Sequence, residues 1–352
     1  MSNIHNYLVI MAGGVGSRFW PMSTEEHPKQ FLDILGQGRT LLQATHDRFK
    51  RLVTASHVYI VTSAKYRDIV REQLPSVPPE NILTEPCRRN TAPAIAYASW
   101  RIKKRDANAN VVVTAADHYV EDADKFCDAV GECLDFTAES DGIVTIGIRP
   151  TNPETGYGYI EADMTCASPT NNNIFRVDSF KEKPDEQTAR QYMASPNYFW
   201  NAGVFVWRVH TIVNAFRVYQ PGTAQLFESI FDALGTEKEA ESIAEIFPNC
   251  ENISIDYAVM EKADDLFVSP VNVKWSDLGT WSSMKQNTKQ DIHGNALIGG
   301  DIQTFDTQNT IVYTSYCHKV VVQGLDGYIV VEKDGILLIC KLSEEQRIKL
   351  FH

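Results

Sequence analysis

The chain has 352 residues, 43% of them hydrophobic and 22% charged, with a formal charge of −12. That composition suits a soluble globular protein with one large and one small domain, or two medium ones. The acidic balance, without a Lys/Arg-dense stripe, argues against nucleic acid as a partner. No apolar stretch is long enough to span a bilayer, so no membrane role is expected.

The N-terminus lacks a basic leader, and the apolar run Tyr7–Ala12 is short and runs into glycines; a cytoplasmic location is expected. The seven cysteines (Cys87, Cys127, Cys133, Cys166, Cys250, Cys317 and Cys340) are scattered, with no CxxC pair. That pattern gives no support to a zinc or iron–sulfur site and fits a reducing compartment.

In chain order, Tyr7–Ala12 reads as a buried strand feeding the loop Gly13-Gly14-Val15-Gly16-Ser17-Arg18-Phe19-Trp20-Pro21. Glycines after a strand let backbone N–H groups approach phosphate oxygens, and Arg18 adds a fork of donors. The spacing is neither Gly-x-Gly-x-x-Gly nor Gly-x-x-x-x-Gly-Lys-Ser/Thr, so neither a dinucleotide fold nor an ordinary P-loop is implied. Alone, such a loop is as readily a tight turn. Lys29, in Pro28-Lys29-Gln30-Phe31, is a second cation suited to phosphate, or a solvated surface lysine.

A helix is expected near Thr40–Arg51, a strand over His57–Thr62, a helix over Lys65–Leu74 and a short strand at Asn81–Thr84. The segment Glu85–Ala94 follows, in which Asn90 or Thr91 can cap the helix Ala92–Lys104 and can also meet a base or phosphate. The strand Ala109–Thr114 runs into Ala115-Ala116-Asp117-His118, and a carboxylate at a strand end is a good place for Mg²⁺ or, more plainly, a turn former. A helix over Asp124–Glu139 and a strand over Gly142–Ile148 complete an alternation that predicts an α/β fold: a Rossmann-like, mostly parallel mixed sheet flanked by helices. Ligand loops in such sheets follow strand ends.

Beyond Pro150 the alternation breaks. Extended pieces are expected at Tyr157–Glu161, Ile174–Lys181, Gly203–Val209 and Val271–Lys274, with helix across Ile212–Phe247. Glu182 and Lys183 in Phe180-Lys181-Glu182-Lys183-Pro184 suit a sugar phosphate, or form a charged loop. Gly158 and Asn201 sit beside aromatic residues, as in a sugar pocket or a core turn. Asp277 in Trp275-Ser276-Asp277-Leu278-Gly279 is a second candidate metal carboxylate. The tail His293–His352 is rich in short β-type runs and is expected to form a small all-β domain, 293–352, after a catalytic domain, 1–292.

Taken together, these segments strongly resemble the mannose-1-phosphate guanylyltransferases, within the wider nucleotidyltransferase family. The resemblance rests on Ala12–Pro21 with Pro28–Phe31, Arg89–Ile95, Ala116-Asp117-His118, Glu182-Lys183-Pro184, Trp200-Asn201-Ala202-Gly203, Ser254–Lys262 and Trp275–Trp281, in that order. It implies GTP and mannose 1-phosphate as substrates, Mg²⁺ as cofactor and a possible homodimer. It assigns Gly13, Gly14, Gly16, Ser17, Asn90 and Thr91 to GTP, and Gly158, Glu182 and Asn201 to the sugar. Arg18 and Lys29 fall to the β- and γ-phosphates, Lys183 to the sugar phosphate, and Asp117 and Asp277 to the metal.

Two features depart from the pattern. Several relatives carry an additional isomerase domain, and a chain of this length is expected to lack it. Ala202 stands where many relatives have Ser, which leaves another sugar 1-phosphate or nucleotide as an alternative. A non-catalytic nucleotide-sugar-binding regulator and a dinucleotide-dependent oxidoreductase are the more distant alternatives.

Overall fold

The computed structural model describes residues 4–14, 16–168, 170–315 and 319–351; Val15 of the glycine loop and Cys317 lie outside them. The chain forms two compact units. One comprises Met1–Gly13, His46–Ala115 and Val120–Trp275; the other comprises Gly14–Thr45, Ala116–Tyr119 and Ser276–His352.

The first unit is built on a nine-stranded sheet. Its strands are β1 (Asn6–Met11), β2 (Val58–Ser63), β3 (Ile82–Glu85), β4 (Asn110–Ala115), β5 (Ile143–Ile148), β6 (Gly158–Ala167), β7 (Phe175–Glu182), β8 (Tyr198–Arg208) and β9 (Leu266–Val271). The order is β3-β2-β1-β4-β8-β5-β9-β7-β6. β1 to β4 pair in parallel, as do β5 and β9; β8 runs antiparallel between β4 and β5, and β6 and β7 close the far edge antiparallel. The expected α/β class is the observed one.

Strand alternation explains the central strands' continuous apolar character. Tyr7, Val9, Tyr59, Val61, Val111 and Val113 join a core with Ala92–Ile102 of the helix Thr91–Arg105. The intervening Leu8, Ile10, Ile60 and Val112 are buried as well, so both faces of the sheet are covered. Asn110 is buried because its side chain is satisfied: Nδ2 donates to Leu134 O at 2.7 Å and Oδ1 accepts from Thr137 Oγ1 at 2.8 Å.

Two expectations need correction, and one helix adds to them. The strand expected at Val271–Lys274 lies instead at Leu266–Val271. Pro270 hid it, because proline lacks a ladder donor; here β9 pairs with β7 only at Phe267 and Val268, so Pro270 falls beyond that pairing. The strand expected from Gly203 begins at Tyr198, which puts Asn201 inside a strand rather than in a turn. The helix Glu186–Ala194, capped by Asp185 Oδ1 accepting from Thr188 N at 2.8 Å, was not anticipated.

In the second unit the tail is β-rich, as expected, but its pairing is mostly parallel. Its strands are β10 (Ala296–Ile298), β11 (Ile302–Phe305), β12 (Ile311–Thr314), β13 (Val320–Gln323), β14 (Tyr328–Lys333) and β15 (Ile336–Lys341). β10, β12 and β14 stack in parallel, and so do β11 and β13, giving successive turns of a coil. Leu325-Asp326-Gly327 therefore turns one coil into the next, while Lys333-Asp334-Gly335 makes a true hairpin between β14 and β15. At a corner of the coil Gly299 has φ +115°, and a Cβ there would collide with Thr314 O.

Candidate active site

The second unit brings together the residues expected to hold a triphosphate. A cavity of about 380 Å³ is lined by Gly16, Ser17, Arg18, Phe19, Lys29, Asp117, His118, Asp277, Gly279 and Lys349. Gly13 and Gly14 are exposed in the same loop, with open space where a Cβ would stand, and Gly14 has φ +91°. Gly16 is required twice over. Its φ is +67°, and a Cβ would lie 2.7 Å from that of Lys29.

Lys29 is not a solvated surface lysine. It is buried, and its three donors have three acceptors: Asp117 Oδ2 at 2.8 Å, Asp277 O at 2.8 Å and Leu278 O at 2.9 Å. Its ammonium also lies 5.7 Å from the centre of the Phe19 ring. Burial pushes the Asp117 carboxyl up, but the Lys29 ammonium beside it, with His118, outweighs this and holds it below the usual carboxylate range. Asp277 is positioned by its own turn, in which Gly279 N donates to Oδ1 at 2.8 Å.

Arg18 is exposed and has no acidic partner among the described residues. Its backbone is fixed instead: Trp281 Nε1 donates to Arg18 O at 3.0 Å, and Trp281 packs on Phe19 at 5.2 Å between ring centres. The guanidinium is thus an uncommitted cation on an anchored main chain.

Asp117 and Asp277 are two hard oxygen donors on one cavity. Among the described residues no group of three or more His, Cys, Asp or Glu side chains is arranged to hold a metal. Two carboxylates completed by phosphate oxygens are a donor set suited to Mg²⁺, which is commonly bound in that way.

The sugar-side candidates gather in the first unit. Gly158 pairs with Glu182 across β6 and β7, and a Cβ at 158 would collide with Glu182 Oε2. The Glu182 side chain is only 9% exposed; Oε1 accepts from Lys183 Nζ at 2.9 Å, and Oε2 has no hydrogen-bond partner among the described residues. Lys183 adopts φ +50° with its ammonium half-exposed. Asn201 is largely committed: Oδ1 accepts from Thr145 Oγ1 at 2.9 Å and Gly203 N at 3.1 Å, and Nδ2 donates to Asp256 Oδ1 at 3.1 Å. Ala202 beside it is fully buried.

Asp256 escaped the sequence reading. It opens the π-helical turn Asp256–Met260, a rare geometry found often at functional sites. Burial pushes its carboxyl up; burial also raises Glu182, and the Asp256 charge raises it further. The only signal in the sequence was its place in Ser254–Lys262.

Asn90 and Thr91 lie at the helix start, as expected. Asn90 has φ +66° and its Oδ1 accepts from Thr91 N at 2.9 Å, while Thr91 Oγ1 accepts from Ile255 N at 2.9 Å. The exposed Asn90 amide keeps its N–H donors, whereas the Thr91 hydroxyl oxygen is engaged.

Glu85, at the end of β3, was not singled out by its spacing; burial pushes its carboxyl up to about 7. A raised carboxylate favours the folded state below its unfolded value, near 4.5, and loses that contribution as pH rises through about 7. Glu85→Gln is therefore expected to gain roughly 2–3 kcal/mol relative to the parent between pH 5 and pH 8. Urea denaturation of both proteins at the two pH values checks this.

A family model described as nucleotidyl transferase matches residues 7–293. Mannose-1-phosphate guanylyltransferase 2 of Escherichia coli O157:H7 is 36% identical over 357 residues, covering 99% of this chain and 73% of the relative. Xanthan biosynthesis protein XanB of Xanthomonas campestris pv. campestris is 37% identical over 346 residues, covering 97% and 71%. A crystal structure from Thermus thermophilus, described as a mannose-1-phosphate geranyltransferase, matches with a TM-score of 0.87 at 30% identity, covering 99% of this chain and 98% of that one. With the glycine loop, the buried lysine and the two strand-end carboxylates lining one cavity, and with likeness to these relatives over nearly the whole sequence, the chain belongs to the nucleotidyl transferase family.

Proposed function

We propose that this protein transfers GMP from GTP to α-D-mannose 1-phosphate, giving GDP-mannose and pyrophosphate. The observation that carries the reading is the cavity lined by Gly16, Arg18, Lys29, Asp117 and Asp277, in a chain whose relatives are named mannose-1-phosphate guanylyltransferase.

In this mechanism an oxygen of the sugar phosphate attacks the α-phosphorus of GTP. The P–O bond to the β-phosphate breaks, and pyrophosphate leaves with the electron pair. The nucleophile is already anionic, so the protein aligns and neutralises rather than supplying a base or a covalent nucleophile. Mg²⁺ held by Asp117 and Asp277 would neutralise phosphate charge. Arg18 takes the departing phosphates. Lys29 has its donors committed inside the protein, which supports a role in fixing Asp117 and the 277–278 backbone as much as in touching phosphate. Gly13, Gly14, Gly16 and Ser17 supply backbone donors, and Asn90 with Thr91 opens the other segment assigned to GTP.

On the sugar side, Lys183 receives the phosphate of mannose 1-phosphate, and Glu182 is assigned to the sugar hydroxyls. Glu182 and Asp256 are two buried acids, with burial as the first cause of the rise in each; the Asp256 charge raises Glu182 further, while Lys183 offsets part of the rise in both and Asn201 part of that in Asp256. Gly158→Ala would push Glu182 aside. It is expected to raise KM for mannose 1-phosphate about tenfold or more while leaving KM for GTP within about twofold, by steady-state kinetics.

The proposed catalytic domain is 1–292, followed by a small β-rich domain, 293–352. A homodimer is part of the proposal, since β11, β13 and β15 leave Phe305, Val321, Leu337 and Ile339 exposed. No helix among the described residues is long and apolar enough to cross a membrane, and the proposed location is the cytoplasm. The test uses GTP labelled at the α-phosphorus with mannose 1-phosphate and Mg²⁺. Label in GDP-mannose supports the reading, and label released as free GMP or GDP contradicts it.

A further inference from the structure

The cavity that holds Arg18 also holds Lys349, which comes from the last turn of the chain. Leu342–Leu350 forms a 3-10 helix, and two anchors fix it. Ile348 is fully buried in the apolar cluster that includes Phe19 and Trp281. Glu345 grips the start of the helix Trp281–Gln286: Oε2 accepts from Ser282 N and Oε1 from Ser282 Oγ, both at 2.9 Å. Trp281 in turn holds the Arg18 carbonyl. Lys349, next to the buried Ile348, is thereby fixed in its main chain while its side chain stays exposed, with no acidic partner among the described residues.

Charge explains why a cation belongs there. The lining has three cations, Arg18, Lys29 and Lys349, against two carboxylates, Asp117 and Asp277. Lys29 is already spent on Asp117 and two carbonyls. Without Lys349 the side chains of the lining would offer a polyphosphate little positive charge beyond that of Mg²⁺ held by the carboxylates. Arg18 would be its only uncommitted cation.

We propose that Lys349 is a phosphate ligand, contributed by the C-terminal segment, that binds the β- and γ-phosphates of the nucleotide and the pyrophosphate that leaves. The inference rests on the proposed nucleotidyl transfer for its substrate, but the cavity's preference for polyphosphate can be tested without turnover. As a compact ammonium on a flexible stem, Lys349 can follow pyrophosphate as it departs.

The experiment compares the whole parent protein with Lys349→Ala and Lys349→Arg. Calorimetry with Mg²⁺ and inorganic pyrophosphate gives Kd, and kinetics of the reverse reaction give KM for pyrophosphate and for GDP-mannose. Lys349→Ala is expected to weaken pyrophosphate about tenfold by both measures, because a charge-assisted hydrogen bond is lost. KM for GDP-mannose should stay within about twofold, and Lys349→Arg should recover most of the loss. A Lys349→Ala protein that binds pyrophosphate as the parent does overturns the inference, and so does an equal rise in both KM values. If the parent fails to turn over GTP with mannose 1-phosphate, yet pyrophosphate binding still falls with Lys349→Ala, the substrate reading fails and the role of Lys349 stands.

Discussion

Asp117→Ala is expected to lower turnover of GTP with mannose 1-phosphate by two or more orders of magnitude and also to destabilise the protein. The two effects have separate causes. Under the proposed mechanism, loss of turnover follows from removing one of the two carboxylates that line the cavity and would hold Mg²⁺, whose charge would supply several kcal/mol in the transition state. Loss of stability follows from Lys29. Its side chain is only 5% exposed, and Asp117 is the one charge paired with it among the described residues, at 2.8 Å. Leaving that ammonium with two carbonyls alone costs about 3 kcal/mol. Asp117→Asn separates the effects. It keeps an oxygen acceptor for Lys29 and most of the shape, so it should recover part of the stability while turnover stays low. Thermal denaturation and steady-state kinetics on both variants check this. Near-normal turnover in folded Asp117→Ala protein contradicts the assignment.

Arg18→Ala is expected to give a similar loss, at least about 100-fold in kcat/KM for GTP, but without destabilisation. Its guanidinium is exposed and makes no ion pair among the described residues, so the folded state loses nothing on truncation beyond about 0.5 kcal/mol. The main chain at 18 stays in place through Trp281. Arg18→Lys restores charge but not the planar fork, and should recover only part of the rate. A large shift in melting temperature for Arg18→Ala would mean that the guanidinium is structural.

Local chemistry made some of this legible from the residues alone. The apolar run before Asp117, the glycines after Met11 and the proline before Lys29 each mark a strand end or turn by short-range rules, and they stand where those rules put them. Pairing between distant segments was not legible. Nothing near Lys29 announces that its donors end on Asp117, Asp277 and Leu278. Asn201 looked like a turn residue because Trp-Asn-Ala-Gly has turn composition, yet it lies within a strand and its amide is tied to Thr145, Gly203 and Asp256. In the tail, Asp-Gly turns were legible as turns, but a turn does not name its strand partner, so the parallel coil was out of reach. Lys349 and Asp256 are ordinary charged residues in sequence. Only the fold gives one a place on the cavity with Arg18 and the other a buried contact with Asn201.

The most direct measurement is pyrophosphate release across four nucleoside triphosphates and several sugar 1-phosphates, with and without Mg²⁺. The account predicts that GTP with mannose 1-phosphate has the highest kcat/KM and that release without Mg²⁺ is negligible. A different preferred pair, or full activity after exhaustive chelation, would contradict it.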